Sequence, residues 1–188
     1  MPDNLKDLDA NGNVKKKKAE NSSLDDLLAS LQSPDSVDLD AAQAEIVEKI
    51  QLGDKMELVK QKDKLITLIK QKDPAIRKTA IWAIGRTGDL SLARFAIQGL
   101  DDPDSGVMVE SHMALCWTAR KPSAFKLPID PLEGLASDAS PEQKKVAIDS
   151  WRRQALLLWG EWYLRTRPYA ERGDEFETNL RNRMLELK

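Results

Sequence analysis

The residues best suited to chemistry are His112 and Cys116, the only histidine and the only cysteine of the chain. Four positions apart on a helix, their side chains would share one face, where they could hold a metal ion or act as base and nucleophile. Two ligands do not complete a metal site, and no second histidine is present to build further catalytic chemistry. We therefore expect both residues to be structural, with no catalytic residue, no metal and no cofactor.

A second set of residues suits binding rather than catalysis. Trp82, Met113 and Trp117 are accompanied by lysine and arginine, a composition enriched at the centres of protein interfaces. Counting 100° per residue places them opposite the apolar packing rows of their helices, where they would form one ridge. The predicted ridge comprises Lys78, Trp82, Arg86, Val109, Met113, Trp117, Lys145, Asp149 and Arg152. The alternative is that neighbouring helices or the Pro-rich insert at 120–130 cover the ridge and make it core.

Helices must position these residues. Apolar segments of helical length alternate with Gly-Asp and Asp-Pro turns, and no segment shows the alternation of a strand. The sequence predicts an all-α fold, with helices at about 40–52, 55–70, 74–86, 90–100, 105–119, 131–137, 141–165 and 174–187.

An internal repeat specifies the arrangement further. A shift of 31 residues superimposes two segments with small residues on small and large on large, pairing Ile76 with Val107, Ala80 with Ser111, Ala83 with Ala114 and Ile84 with Leu115. A shift of 67 residues gives a weaker third copy, which aligns Pro141 with Pro74. Repeats of this length with two helices each are typical of helical solenoids, whose second helices line the concave surface.

The segment "DPAIRKTAIWAIGRTGD", residues 73–89, resembles the HEAT-like repeat of the phycobilisome-lyase type. Both contain Asp-Pro, an aliphatic-Arg pair, spaced alanines and a Gly-x-x-Gly-Asp exit. The resemblance implies a short right-handed α-solenoid of helical hairpins, in which Arg77 occupies the position of a buried Arg–Asp ladder. Met108, in the next copy, departs from that pattern.

The first 38 residues differ from the rest. They are rich in Asp, Asn, Ser and Lys, which predicts a disordered tail preceding a helical repeat domain at 39–188 with C-terminal capping helices. Within the tail a short amphipathic helix is expected at about 23–32, with Ser23 as its N-cap and its apolar face formed by Leu24, Leu27, Leu28 and Leu31. This leucine motif could dock in a partner's groove, fold back on the protein's own ridge, or be one more helix of the stack. The lysines at 15–18 are interpreted as a solvated linker.

Composition and charge limit the classes of function and the locations that we expect for this protein. The formal net charge is −2, with −3 before residue 39 and +1 after it, and this near-neutral balance argues against nucleic acid as a partner. No apolar run reaches the roughly 18 residues of a membrane span, no secretory signal is recognisable, and the single cysteine suits a reducing compartment, so we expect a cytoplasmic location. The phosphate-binding patterns GxxxxGK[ST] and GxGxxG are absent.

The sequence therefore favours a non-catalytic scaffold or adaptor that binds another protein on its concave helical face. One alternative suggested by the resemblance is a bilin-lyase-like or chaperone-like protein acting on a modified protein. Another is a HEAT-like DNA-binding or repair module, in which Trp82, Trp117 and Asp149 would supply the aromatic and acidic groups. The HEAT-like iron hydroxylases are excluded, because they use several His-Glu pairs and this sequence has none.

Overall fold

The computed structural model describes residues 23–31, 44–46, 48, 55–121 and 124–188. Over these ranges the chain forms helices, turns and loops and no strand, which confirms the predicted all-α class. Eight α-helices have defined bounds: α1 Leu24–Ser30, α2 Lys55–Lys60, α3 Lys62–Leu68, α4 Pro74–Thr87, α5 Ala93–Gly99, α6 Ser105–Ala119, α7 Pro141–Thr166 and α8 Glu175–Glu186. Short 3-10 turns occupy Leu90–Leu92, Ala124–Lys126 and Tyr169–Glu171.

Most helices lie where the sequence predicts them, but the helix expected at 131–137 is wrong. That segment forms consecutive turns, in which the amides of Glu133 and Leu135 donate to carbonyls three residues earlier. Gly134 has φ of +82°, a left-handed conformation that cannot continue a right-handed helix. The helix expected at 40–52 is described only at 44–46 and 48, where the backbone is helical.

Aspartates begin the two central helices in matching ways. The Asp73 side chain accepts a hydrogen bond from the amide of Ala75 at the start of α4, and Asp104 accepts one from Val107 at the start of α6. These caps satisfy amides that have no partner within the helix, and they lie 31 residues apart, the length of the repeat.

α4 and α6 share the most extensive contact between described helices. Their equivalent packing positions are all at most 2% exposed, and comprise Ile76, Ala80, Ala83, Ile84, Val107, Ser111, Ala114 and Leu115. The approach is close enough that a Cβ added at Gly85 would lie 2.6 Å from the Cα of Ala114. The repeat therefore predicted the buried row of both helices.

One buried ion pair ties α4 to the loop before α6. Arg77 donates two 2.8 Å hydrogen bonds to the carboxylate of Asp102, and its third nitrogen donates to the carbonyls of Gln71 and Lys72. The paired side chains are 14% and 12% exposed. Bidentate pairing of this kind fixes the geometry of the groups it joins as well as neutralising their charge.

The third copy of the repeat keeps its residue types but not their burial. Ala147 and Ile148 on α7 are half-buried, whereas their counterparts Ala80 and Ile81 are core residues. The fully buried residues of α7 begin at Trp151, and the helix packs against α5, α6 and α8. Its residues 141–146 are exposed, and Ile148 is only partly buried against the core.

The leucine motif forms the predicted helix α1, and its Ser23 hydroxyl accepts a hydrogen bond from the amide of Asp26. Leu28 and Leu31 are fully buried in a cluster with Leu65 and Leu68 of α3. Of the three hypotheses, this placement matches one more helix of the stack. The side chains of Leu24 and Leu27, and the remainder of the predicted tail with its lysine run, lie outside the described residues.

Candidate functional site

The structure brings together the α4 and α6 members of the predicted ridge. We call Trp82, Arg86, Met113 and Trp117 the aromatic face; they project on the side of each helix away from its buried row. Trp82 is half-buried and packs against the core, whereas Trp117 is 55% exposed. The alternative in which neighbouring segments cover the ridge therefore does not hold at Trp117.

Arg86 links the two tryptophans of the aromatic face. Its guanidinium carbon lies 3.5 Å from the ring centroid of Trp117 and 4.9 Å from that of Trp82. Guanidinium groups stack favourably on indole rings, and the contact is stronger where water is partly excluded. This stacking holds the exposed Trp117 ring against the rest of the face.

The same guanidinium retains unused hydrogen-bonding capacity. Its Nη1 atom is buried, and it has no hydrogen-bond partner in the described part of the chain. Burial lowers the pKa of Arg86, while the nearby charge of Glu110 raises it. Since an arginine keeps its proton at any physiological pH, the face carries a fixed positive charge with a vacant donor.

Glu110 is the acidic counterpart of Arg86 on α6. Burial raises the pKa of its carboxyl group, and the charges of Lys78 and Arg86 partly oppose that rise. The carboxylate lines a cleft of about 290 Å³, together with Lys78, Val109 and Asp130, on one side of Met113. Ile148 is the contribution of α7 to this cleft.

A larger cleft opens on the other side of Met113, next to Trp117. It has a volume of about 430 Å³ and is lined by His112, Met113, Cys116, Trp117, Arg120, Lys121 and Ile129. Its walls are mostly apolar, and its charged lining residues are both basic. Trp117 and Ile129 are among the most exposed large apolar side chains of the described residues. We call this the Trp117 cleft.

The His112 and Cys116 pair at the base of this cleft cannot work as a catalytic dyad. The indole N–H of Trp159 donates to His112 Nδ1 at 2.9 Å, so the imidazole proton must be on Nε2, 3.7 Å from the Cys116 sulfur. A protonated Nε2 cannot accept the thiol proton. Burial also lowers the pKa of His112 to about 4, so the ring is neutral at pH 7. Both residues serve packing, with His112 in edge-on contact with Trp151 and Trp159.

The α7 members of the predicted ridge are engaged with one another and with the adjacent loop. Asp149 accepts from Lys145 at 3.1 Å and from Arg152 at 3.0 Å. Arg152 also donates to the carbonyl of Asp102 at 3.0 Å, which fastens α7 to the loop before α6. Arg152 therefore acts as a packing residue, and α7 contributes to the cleft with Glu110 through Ile148 instead.

The sequence prediction missed four residues near the aromatic face: Glu110, Arg120, Lys121 and Ile129. The sequence does carry a signal for Glu110, because the 31-residue shift aligns this charged residue with the buried position Thr79. The sequence carries no such signal for the other three residues. Ile129 reaches the cleft because the insert at 120–130 packs on α7, where the Pro128 carbonyl accepts from the Trp151 indole at 2.7 Å.

Two properties of the described residues constrain the chemistry. No group of three or more His, Cys, Asp or Glu side chains among them is arranged to hold a metal ion. In the same ranges, no helix combines the length and the apolar character needed to cross a membrane.

Searches for similar proteins among protein-family models, curated proteins and solved structures found no match to this chain.

Proposed function

We propose that this protein is a non-catalytic binding module whose partner protein docks on the aromatic face. The observation that carries the proposal is Trp117, whose indole is 55% exposed yet held in place by Arg86 beside an apolar cleft. Tryptophan and arginine are enriched among the residues that dominate the energetics of protein interfaces, tryptophan because it buries a large area with only two χ angles and arginine because its planar guanidinium both stacks and donates. A fixed, exposed tryptophan next to an open cleft is therefore suited to serve as an anchor.

The proposed architecture is a short right-handed α-solenoid of HEAT-like hairpins, with α4 and α6 as second helices on its concave side. Three observations support it: the buried row that recurs after 31 residues, the aspartate caps at the same interval, and the Arg77–Asp102 pair. In such an arrangement the aromatic face spans adjacent repeats. A partner would contact both repeats at once.

The charges around the aromatic face favour protein over nucleic acid. Lys78, Glu110 and Asp130 put both signs in the cleft on one side of Met113, and Glu110 lies near the charge of Arg86. A phosphate backbone is instead bound by a surface of one sign. The only accepting nitrogen of the neutral His112 ring is buried and already occupied by the Trp159 indole, so His112 is not available as a general base, which supports a binding rather than a catalytic role.

A matched pair of substitutions tests the proposal. Trp117→Ser removes the anchor, and Tyr169→Ser removes an aromatic residue that is 84% exposed and stacked by Arg172, but lies outside the aromatic face. Affinity capture from lysate, quantified by mass spectrometry, should lose specific partners with Trp117→Ser and keep them with Tyr169→Ser. Because both side chains are exposed, the thermal midpoints should stay close to that of the wild type. Equal capture by the two variants would remove the basis of the proposal.

A further inference from the structure

The Trp117 cleft has a one-sided charge. Its charged lining residues, Arg120 and Lys121, are exposed and form no ion pair within the described ranges of the chain. Among the residues that the structure describes, no carboxylate lines the cleft. Arg86 stacks on the adjacent Trp117 ring with its buried Nη1 unbonded. Arg120 and Lys121 thus place two positive charges at an apolar cleft, and Arg86 adds a third next to the Trp117 ring, outside the cleft lining.

The cleft on the other side of Met113 has the opposite balance. Glu110 and Asp130 line it, and Lys78 is the only basic residue of the described part of the chain that does so. The charge of the surface therefore changes from basic to acidic across the Met113 side chain. A bound segment meets a basic rim at the Trp117 cleft and an acidic one next to it, so its own charges must be arranged to match.

The walls of the Trp117 cleft define what can fill it. Met113, Trp117 and Ile129 offer a thioether, an indole and a branched aliphatic chain within about 430 Å³. A methionine adapts its shape to different apolar groups. The space accommodates one or two large apolar side chains but presents few polar groups to a buried charge. The carboxylates of a ligand would therefore lie at the rim, beside Arg120 and Lys121.

We propose that the ligand of the Trp117 cleft is an acidic-hydrophobic peptide segment of the partner protein, with a large apolar side chain inserted beside Trp117 and flanking carboxylates paired with Arg120 and Lys121. This inference rests on the proposed function and specifies the chemistry of the partner. Charge-assisted hydrogen bonds from arginine to carboxylate are about twice as strong as neutral ones, so the rim selects the sequence around the anchor.

The test is a selection of short random peptides displayed on phage against the full-length protein, with the Trp117→Ser variant as the counter-target. Selected peptides should combine Leu, Phe or Trp with neighbouring Asp or Glu residues. A fluorescein-labelled consensus peptide, measured by anisotropy, should bind at least about tenfold more weakly to the Arg120→Glu/Lys121→Glu variant. The same peptide with its acids changed to Lys should prefer that variant over the wild type. Both substituted side chains are exposed, so the thermal midpoint serves as the folding control.

The outcomes separate the two proposals. Peptides that depend on Trp117 but carry basic or uncharged flanks would overturn the acidic-hydrophobic assignment and leave the aromatic face as a binding surface. An unchanged affinity for the Arg120→Glu/Lys121→Glu variant would do the same. Failure to select any peptide above the Trp117→Ser background would count against both.

Discussion

The α4–α6 pair and the C-terminal α7–α8 pair pack with different side chains. α4 and α6 approach through small residues, with Gly85 set against Ala114. α7 packs through large ones, including Trp159 and Tyr163, which are fully buried. Where α8 crosses α7, the flexible Met184 side chain covers Gly160.

The outward rows of the two regions differ more than their buried rows. On α7 the outward positions carry exposed polar residues such as Arg153, Gln154 and Glu161, as expected of a helix facing water. On α6 the outward row carries Trp117. The buried row of α6 does not require that tryptophan, whereas the proposed docking of a partner protein would account for it. The comparison therefore directs the proposal to the outward row of α6.

The ionic connections of the two regions should differ most in stability tests. Asp102 is the only carboxylate that Arg77 bonds in the described structure, so Asp102→Asn leaves a largely buried guanidinium with only the more distant charges of Asp73 and Asp104 and should cost about 3 kcal/mol. Asp174→Asn should cost much less, because Arg94 keeps its ion pair with Glu171 and asparagine can still cap α8. Urea unfolding of both variants measures the contrast. Equal losses would show that the C-terminal network has no redundancy.

Glycine substitutions compare the two packing modes directly. Gly85→Ala forces a methyl group against the α6 backbone and should destabilise the fold by about 2 kcal/mol. Gly160→Ala meets only the flexible end of Met184, 2.6 Å from the new Cβ, which can rotate away. The loss of stability in Gly160→Ala should therefore be smaller than in Gly85→Ala, and urea unfolding measures both. A larger loss for Gly160→Ala would reverse the assignment of rigid and adaptable contacts.

His112 connects the two regions, because it lies on α6 and accepts from Trp159 of α7. Its pKa falls from 6.5 to about 4 on folding, so the unfolded chain binds more protons between these values and stability declines as the pH drops through them. His112→Gln retains an acceptor but cannot be protonated. The substitution should lower the free energy of unfolding by about 1 kcal/mol at pH 7, and the stability of the variant should decline less steeply toward pH 4. Thermal midpoints across this range test the slope, and parallel curves for both proteins would contradict it.

Glu110 should give the smallest effect. Burial raises the pKa of its carboxyl above the ordinary 4.5, so the ionised form opposes folding at neutral pH and ceases to do so in acid. Glu110→Gln should therefore raise the thermal midpoint at pH 7, with the difference closing near pH 4. Glu161→Gln, at an exposed position, is the control and should leave the thermal midpoint unchanged both at pH 7 and near pH 4. A lower midpoint for Glu110→Gln at pH 7 would show that Lys78 and Arg86 outweigh desolvation.

Much of the fold could be predicted from local signals. Asp73, Asp104 and Ser23 identify helix starts, because capping involves residues within three positions of each other. The helix expected at 131–137 is wrong for a local reason too, because Gly134 adopts a left-handed conformation.

For the candidate site, the sequence predicted the direction of the side chains but not what surrounds them. Helical periodicity determined that Trp82 and Trp117 leave the buried row, because the direction of a side chain follows from its position on its own helix. Whether anything covers Trp117 depends on segments distant in sequence, such as the one that brings Ile129 to the cleft.

The sequence by itself determined the helices, their buried rows and the outward position of the aromatic residues, since each depends on spacing within one segment. Only the tertiary structure decided that Arg86 stacks on Trp117, that Trp159 sets the tautomer of His112, and that the cleft rim is basic. Those contacts depend on the distances and angles between helices. These are set by the packing of many side chains together, which no single segment encodes.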